Sequence, residues 1–289
     1  MSDSPAGHVA RSTVRPNGET ARRVPIRTFL ATADGVTIDS VYDPPLAVYE
    51  TNAPGGDEND TFDQPHDHPV FVIAHGFTGA ADRPHVRRVA EALRRYGAVV
   101  TFSFRGHGAS GGRSTVGDRE VLDLAAAVDW ARALGHARVV TVGFSMGGSV
   151  VLRHAALHPG DADAVVSVSA PARWYYRGTA PMRRLHWLVT RPSGRLLGRY
   201  GFGTRIHHRE WNPVPLPPVE AAARIAPTPL LVVHGDADGY FPLDHPRSLA
   251  EAAPGHAELW LEPGMGHAEH AASEALLARI AHWGVSRAG

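Results

Sequence analysis

Serine occurs twice in the pattern Gly-x-Ser-x-Gly, once as Gly143-Phe144-Ser145-Met146-Gly147 and once as Gly108-Ala109-Ser110-Gly111-Gly112. A serine hydroxyl is a poor nucleophile until a base takes its proton, so the pattern has meaning only where the backbone presents the side chain to a base and an acyl group. The flanks separate the two copies. Ser145 follows the β-branched run Val139, Val140, Thr141, Val142 and precedes a helical pattern of Met146, Val150, Val151, His154 and Leu157, which predicts strand, sharp turn and helix. Gly143 and Gly147 supply residues without a Cβ on either side of that turn. The turn would lift Ser145 Oγ clear of the sheet edge. It would also aim the Met146 amide, at the positive end of the new helix, at an oxygen that becomes negative when Ser145 attacks a carbonyl. Ser110 is followed by Gly111, Gly112, Arg113, Ser114 and Thr115, a loop composition, and reads as a loop hydroxyl.

Acyl transfer through Ser145 needs a histidine base and an acid to orient it. His107, in Arg105-Gly106-His107-Gly108, would share the sheet edge but sits among glycines without an orienting acid. His267 closes the turn Pro263-Gly264-Met265-Gly266-His267 after a strand at 257–261, and His234-Gly235-Asp236-Ala237-Asp238 closes a strand at 229–234. One helix, at 244–252, and one strand lie between them. That makes the two strands neighbours and Asp238 and His267 a suitable hydrogen-bonded pair. Asp236, nearer its strand, reads as a turn cap; His270 would start a surface helix and His256 precedes a strand. After a buried run at 70–74, His75-Gly76-Phe77-Thr78-Gly79 turns so that the Phe77 amide becomes a second donor to the oxyanion.

The elements that must hold these groups alternate. Strands are predicted at 26–31 and 36–42, joined at Asp34-Gly35, then at 70–74, 98–104, 139–143 and 164–169. Helices are predicted at 84–96, 121–134 and 146–157, the second with Val121, Leu124, Ala125, Val128 and Ala131 on one face. Alternation at this spacing predicts a mostly parallel sheet with right-handed crossovers. Residues 43–69 are rich in Pro, Gly, Asp, Glu and Asn and read as a long loop, and His66-Asp67-His68 at its end lacks the further ligands a metal would need. Residues 171–218 interrupt the alternation with seven aromatics, nine arginines and one acid, Glu210. We read this segment as a lid over the carboxyl edge of the sheet, with Trp174, Tyr176 and Trp187 as candidate walls of an apolar acyl or aryl pocket. Its arginines could attract an anionic substrate group or surface, or lie over the aromatics and solvate helix faces.

The whole chain bounds the rest. Its 289 residues, 43% hydrophobic, suffice for one large α/β domain with an insertion. Acidic and basic residues balance at 29 each, so no global field selects nucleic acid. All the basic residues are arginine and there is no cysteine, which excludes a lysine base, a thiolate nucleophile and a zinc–thiolate site. Residues 1–24 contain no apolar segment fit for a signal or an anchor, so the expectation is a disordered leader on a cytoplasmic protein without an integral membrane segment. The core is expected over 25–170 and 219–285, with the lid at 171–218 between them.

Together these motifs resemble the α/β-hydrolase superfamily, in the serine-nucleophile branch of esterases, monoacylglycerol-lipase-like enzymes and serine aminopeptidase-like hydrolases. The carriers are His75-Gly76-Phe77-Thr78-Gly79, Arg105-Gly106-His107-Gly108-Ala109-Ser110, Gly143 to Gly148, His234 to Pro242, and Gly266-His267. The resemblance implies a mostly parallel eight-stranded sheet with helices on both faces. It implies Ser145 as nucleophile, Asp238 as acid and His267 as base, with Phe77 and Met146 amides as the oxyanion hole, each contributing about 3 kcal/mol. Ser103 departs from the aspartate relatives often carry there, a position without a catalytic role. The substrate would be a carboxylic ester, or a thioester or amide, with water as the second partner and no cofactor or metal. The other readings are a ligand-binding or weakly catalytic protein of this fold, and cofactor-free peroxidase or carbon–carbon hydrolase chemistry. Serine at 145 disfavours dehalogenase or epoxide hydrolase chemistry, which uses a carboxylate nucleophile.

Overall fold

The computed structural model describes residues 24–46 and 68–289. All but one residue of the expected leader, most of the 43–69 loop, and His66 and Asp67 lie outside them. The chain begins with a hairpin, β1 (Ile26–Ala31) and β2 (Thr37–Asp43), turned at Gly35 with φ +78°. Then follow β3 (Val70–Ala74), α1 (Pro84–Leu93), β4 (Ala98–Phe102), α2 (Glu120–Ala133), β5 (Val139–Phe144), α3 (Met146–Leu157) and β6 (Ala164–Val168). After β6 come α4 (Ala180–Thr190), α5 (Pro192–Gly201) and α6 (Pro218–Ala222). The chain ends with β7 (Leu230–Gly235), α7 (Asp244–Glu251), β8 (Ala257–Glu262), α8 (Ala268–Ala271) and α9 (Glu274–Arg287).

The eight strands form one sheet in the order β1-β2-β4-β3-β5-β6-β7-β8, antiparallel at β1–β2 and β2–β4 and parallel from there on. Every residue of β3, β4, β5 and β6 is buried, as their unbroken apolar runs require once both faces are covered. One face packs on α2, α3, α6 and α7 through Val100, Leu124, Val128, Val151 and Leu249, and the other on α1 and α9 through Phe71, Leu93, Val142 and Ile280. Helix α1 stops at Leu93, three residues short of the sequence boundary, and β4 stops at Phe102. On α2 the buried face takes Ala127 in place of Ala125 and includes Glu120 and Asp123. The helix is rotated because these two carboxylates hold the preceding loop: Glu120 accepts from Ser114 and Thr115 hydroxyls, and Asp123 accepts from the Arg105 guanidinium.

The segment between β6 and β7 is built on the pair α4–α5. Gly194 makes that pair possible, since a Cβ there would lie 2.5 Å from the Trp187 carbonyl oxygen. The segment is laced to the loops around it. Arg205 N donates to Gly106 O and Ser114 N to Arg205 O, both at 2.7 Å, Trp211 Nε1 donates to Thr115 O at 2.7 Å, and Thr179 Oγ1 to Tyr240 O at 2.9 Å. Among the described residues no helix is long and apolar enough to cross a membrane.

Candidate active site

The carboxyl ends of β3, β5, β7 and β8 deliver the groups singled out above to one place. Ser145 sits between β5 and α3 with φ +52° and ψ −113°, a left-handed conformation that costs a non-glycine residue energy and persists only where its surroundings impose it. Two close approaches impose it. A Cβ on Gly143 would lie 2.2 Å from Gly147 O, and one on Gly147 would lie 2.0 Å from Ala74 O. The helix start is thus pressed onto β3 in a way that only glycine permits.

His267 Nε2 lies 2.9 Å from Ser145 Oγ, and His267 Nδ1 lies 2.8 Å from Asp238 Oδ2. The other carboxylate oxygen of Asp238 accepts from Tyr240 N at 2.7 Å and Phe241 N at 3.2 Å. Burial works to raise the Asp238 pKa, but the hydrogen bonds from His267 and Tyr240 outweigh it and hold the carboxyl below its ordinary range. His234 Nε2 contacts Phe241 O at 2.9 Å and so fixes the same loop from beneath. The Tyr240 ring stacks on His267 with centroids 4.1 Å apart. Gly235 has no room for a side chain either, because its Cβ would lie 2.0 Å from Met265 O where the two loops cross.

The other candidates separate cleanly. Asp236 accepts from Gly264 N at 2.6 Å and ties the turn before His267, without reaching the imidazole. Ser110 is a buried loop hydroxyl: it donates to Ser103 O at 2.5 Å and accepts from Asp39 N at 2.9 Å. His107 accepts from Thr78 N at 3.3 Å, and burial pushes its pKa down to about 4. His256 ends up beside β8, away from the Ser145–His267 pair, and His270 lies on α8. Among the described residues neither the Phe77 nor the Met146 amide donates to an acceptor. Met146 follows Ser145 directly as the first residue of α3, and Phe77 lies in the loop after β3.

Several positioning residues escaped the sequence reading. His75 is fully buried, neutral through that burial, and accepts from Phe104 N at 3.0 Å, which anchors the loop carrying Phe77. Ser169 Oγ accepts from Ala268 N at 3.1 Å, and Glu269 accepts from Gly76 N at 2.9 Å, so both residues after His267 are tied to neighbouring strand ends. Their only sequence signal was nearness to His267 and to β6. Glu269 also joins His85 and His270 in a group whose donor atoms lie within 4.8 Å of one another.

In the 171–218 segment, Trp174 is half-buried, with its Nε1 on Pro215 O at 2.9 Å and its ring against Gly117, next to Met146. Tyr176 packs on Phe241 at 6.1 Å and His245 at 4.6 Å, and Phe241 in turn lies 5.7 Å from the His267 ring. Trp187 is 45% exposed on α4 and, among the described residues, shares in none of these ring contacts.

Residues 69–190, from β3 to the end of α4, match the family model of the alpha/beta hydrolase fold. The chain is 28% identical over 242 residues to a monoacylglycerol lipase of Mycolicibacterium smegmatis, covering 68% of this chain and 80% of that one. Among solved structures it superposes on the esterase Pf2001 of Pyrococcus furiosus with a TM-score of 0.68 at 21% identity, covering 92% of each chain. It also superposes on a serine hydrolase without a lid from Xanthomonas campestris, with a TM-score of 0.58 at 23% identity, covering 91% of this chain and 94% of that one. A sheet in this strand order, a strained serine between β5 and α3, and these likenesses agree: the chain has the alpha/beta hydrolase fold.

Proposed function

We propose that this protein is a serine hydrolase that cleaves carboxylic esters through an acyl-enzyme on Ser145. The observation that carries the reading is the unbroken chain from Ser145 Oγ through both nitrogens of His267 to Asp238. With Asp238 ionised, Nδ1 holds the imidazole proton and Nε2 offers its lone pair to the Ser145 hydroxyl. As Oγ bonds to the carbonyl carbon, its proton passes to Nε2. The carbonyl oxygen becomes an oxyanion between the Phe77 and Met146 amides, and Nε2 then protonates the departing alkoxide. Water repeats the sequence on the acyl-enzyme and frees the acid.

The segment 171–218 acts in this reading as the lid, with Trp174 and Tyr176 walling an apolar acyl pocket. The monoacylglycerol lipase and esterase names among its relatives favour ester substrates. The test is hydrolysis of p-nitrophenyl butyrate and octanoate together with fluorophosphonate labelling. Ser145→Ala should lose turnover on the order of a million-fold and all labelling. Ser110→Ala should keep most of both, paying only in stability for its lost hydrogen bonds. Labelling of Ser145→Ala at the wild-type level would sink the proposal.

A further inference from the structure

Glu269 is poorly compensated for a buried carboxylate. It is 3% exposed, and its side chain accepts one hydrogen bond, from Gly76 N. Among the described residues no guanidinium reaches it, because Arg88 donates instead to its backbone carbonyl at 2.7 Å. A buried carboxylate with a single neutral donor is costly unless a cation or metal completes it. Two imidazoles face it. His85 Nε2 lies 3.8 Å from Glu269 Oε1, and the His85 and His270 ring centroids are 3.9 Å apart with planes inclined by 38°.

The geometry points to a divalent transition-metal site on His85, Glu269 and His270, with Zn²⁺ as the ion it fits. Two imidazole nitrogens and one carboxylate oxygen suit Zn²⁺, whereas Mg²⁺ and Ca²⁺ take oxygen ligands. Tetrahedral zinc with bonds of about 2.0–2.1 Å holds its ligand atoms about 3.4 Å apart. The 3.8 Å between His85 Nε2 and Glu269 Oε1 therefore closes with a shift of a few tenths of an ångström, and His270, exposed on α8, reaches in by side-chain rotation. Water would take the fourth position. Such an ion would clamp the start of α1 to α8, the two elements that flank Gly76-Phe77 and His267. The site stands apart from the hydrolase reading, since none of its ligands touches Ser145.

The experiment is calorimetric titration of Zn²⁺ into the full chain after chelator treatment and buffer exchange, with thermal unfolding in parallel. One equivalent should bind and raise the unfolding midpoint, as any ligand of the folded state does. His85→Gln and His270→Gln should each weaken binding at least tenfold and abolish the thermal gain. Replacement of the stacked pair His207 and His208, elsewhere on the chain, should change neither. Mg²⁺ should not compete. His270 is exposed, so its replacement does not threaten the fold and decides the matter alone. Absence of one-equivalent binding, or binding undiminished in His270→Gln, overturns the site.

Discussion

At Asp238 and Asp236 one loop presents two carboxylates two residues apart, and their surroundings assign them different tasks. Asp238 is buried beneath His267, with Tyr240 and Phe241 amides on its free oxygen, whereas Asp236 lies outside and holds the Gly264 amide. An amide in place of the Asp238 carboxylate would present a donor to His267 and favour the tautomer with its proton on Nε2, which cannot accept from Ser145. Asp238→Asn is therefore expected to lower kcat by about ten-thousand-fold, and Asp236→Asn by no more than a few-fold. Steady-state rates on p-nitrophenyl butyrate check this. A loss in Asp236→Asn exceeding that in Asp238→Asn by tenfold would move the orienting role to Asp236.

The element that differs most from an uninterrupted α/β alternation is the pair α4–α5 with its flanking loops. Much of its positive charge is spent on structure: Arg173 pairs with Asp244 at 2.6 Å, Arg183 donates to Gly178 O, Arg195 to Thr190 O, and Arg205 to Ser110 O. Arg173 and Arg199 also lie over the Tyr176 and Tyr200 rings, the arrangement expected of arginine stems covering aromatics. The aromatics divide by position. Trp174 and Tyr176 connect to Met146 and, through Phe241, to His267, while Trp187 faces solvent. If this segment walls the acyl pocket, Trp174→Ala and Tyr176→Ala should each change the octanoate-to-butyrate ratio of kcat/KM by roughly tenfold, the scale of one or two methylene contacts. Trp187→Ala should leave the ratio within twofold. A ratio unmoved in both of the first two variants would remove the segment from the pocket.

For the molecule as a whole, buried histidines weaken the folded state in acid. Burial holds His107 and His245 at about 4 and, together with the neighbouring His158, holds His154 at about 3, all below the ordinary value of 6.5. Such a group stays neutral in the folded chain and takes up a proton on unfolding. Its contribution to stability is complete above pH 6.5 and is lost as the pH falls below that value. Neither ring nitrogen of His154 has a hydrogen-bond partner among the described residues, and the carboxylate of Asp161, 3.6 Å from its Nε2, does not offset its burial. Between pH 7.5 and 5.5 His154 should cost the folded state about 1.4 kcal/mol. Urea unfolding of His154→Leu should show a pH dependence shallower by that amount. An unchanged slope would mean that His154 titrates alike in both states.

The local signals in the sequence were strong enough to find the strands, the serine turn and the loops of Asp238 and His267, because apolar runs and obligatory glycines are short-range properties. Gly143 and Gly147 announced close approaches that the structure realises against Gly147 O and Ala74 O. The strand and helix flanks separated Ser145 from Ser110, whose copy of the pattern lacks a following helix. What only the tertiary structure decided is set by which strands lie side by side. Glu269 reaches Gly76, Ser169 reaches Ala268, and His85 meets His270 because β3, β6 and the loop after β8 converge on one edge. The swap of Ala125 for Ala127 on α2 has the same origin: a distant partner, Arg105, drew Asp123 inward and turned the helix. Burial and charge pairing depend on neighbours far away in the chain, and those neighbours exist only once the sheet has closed.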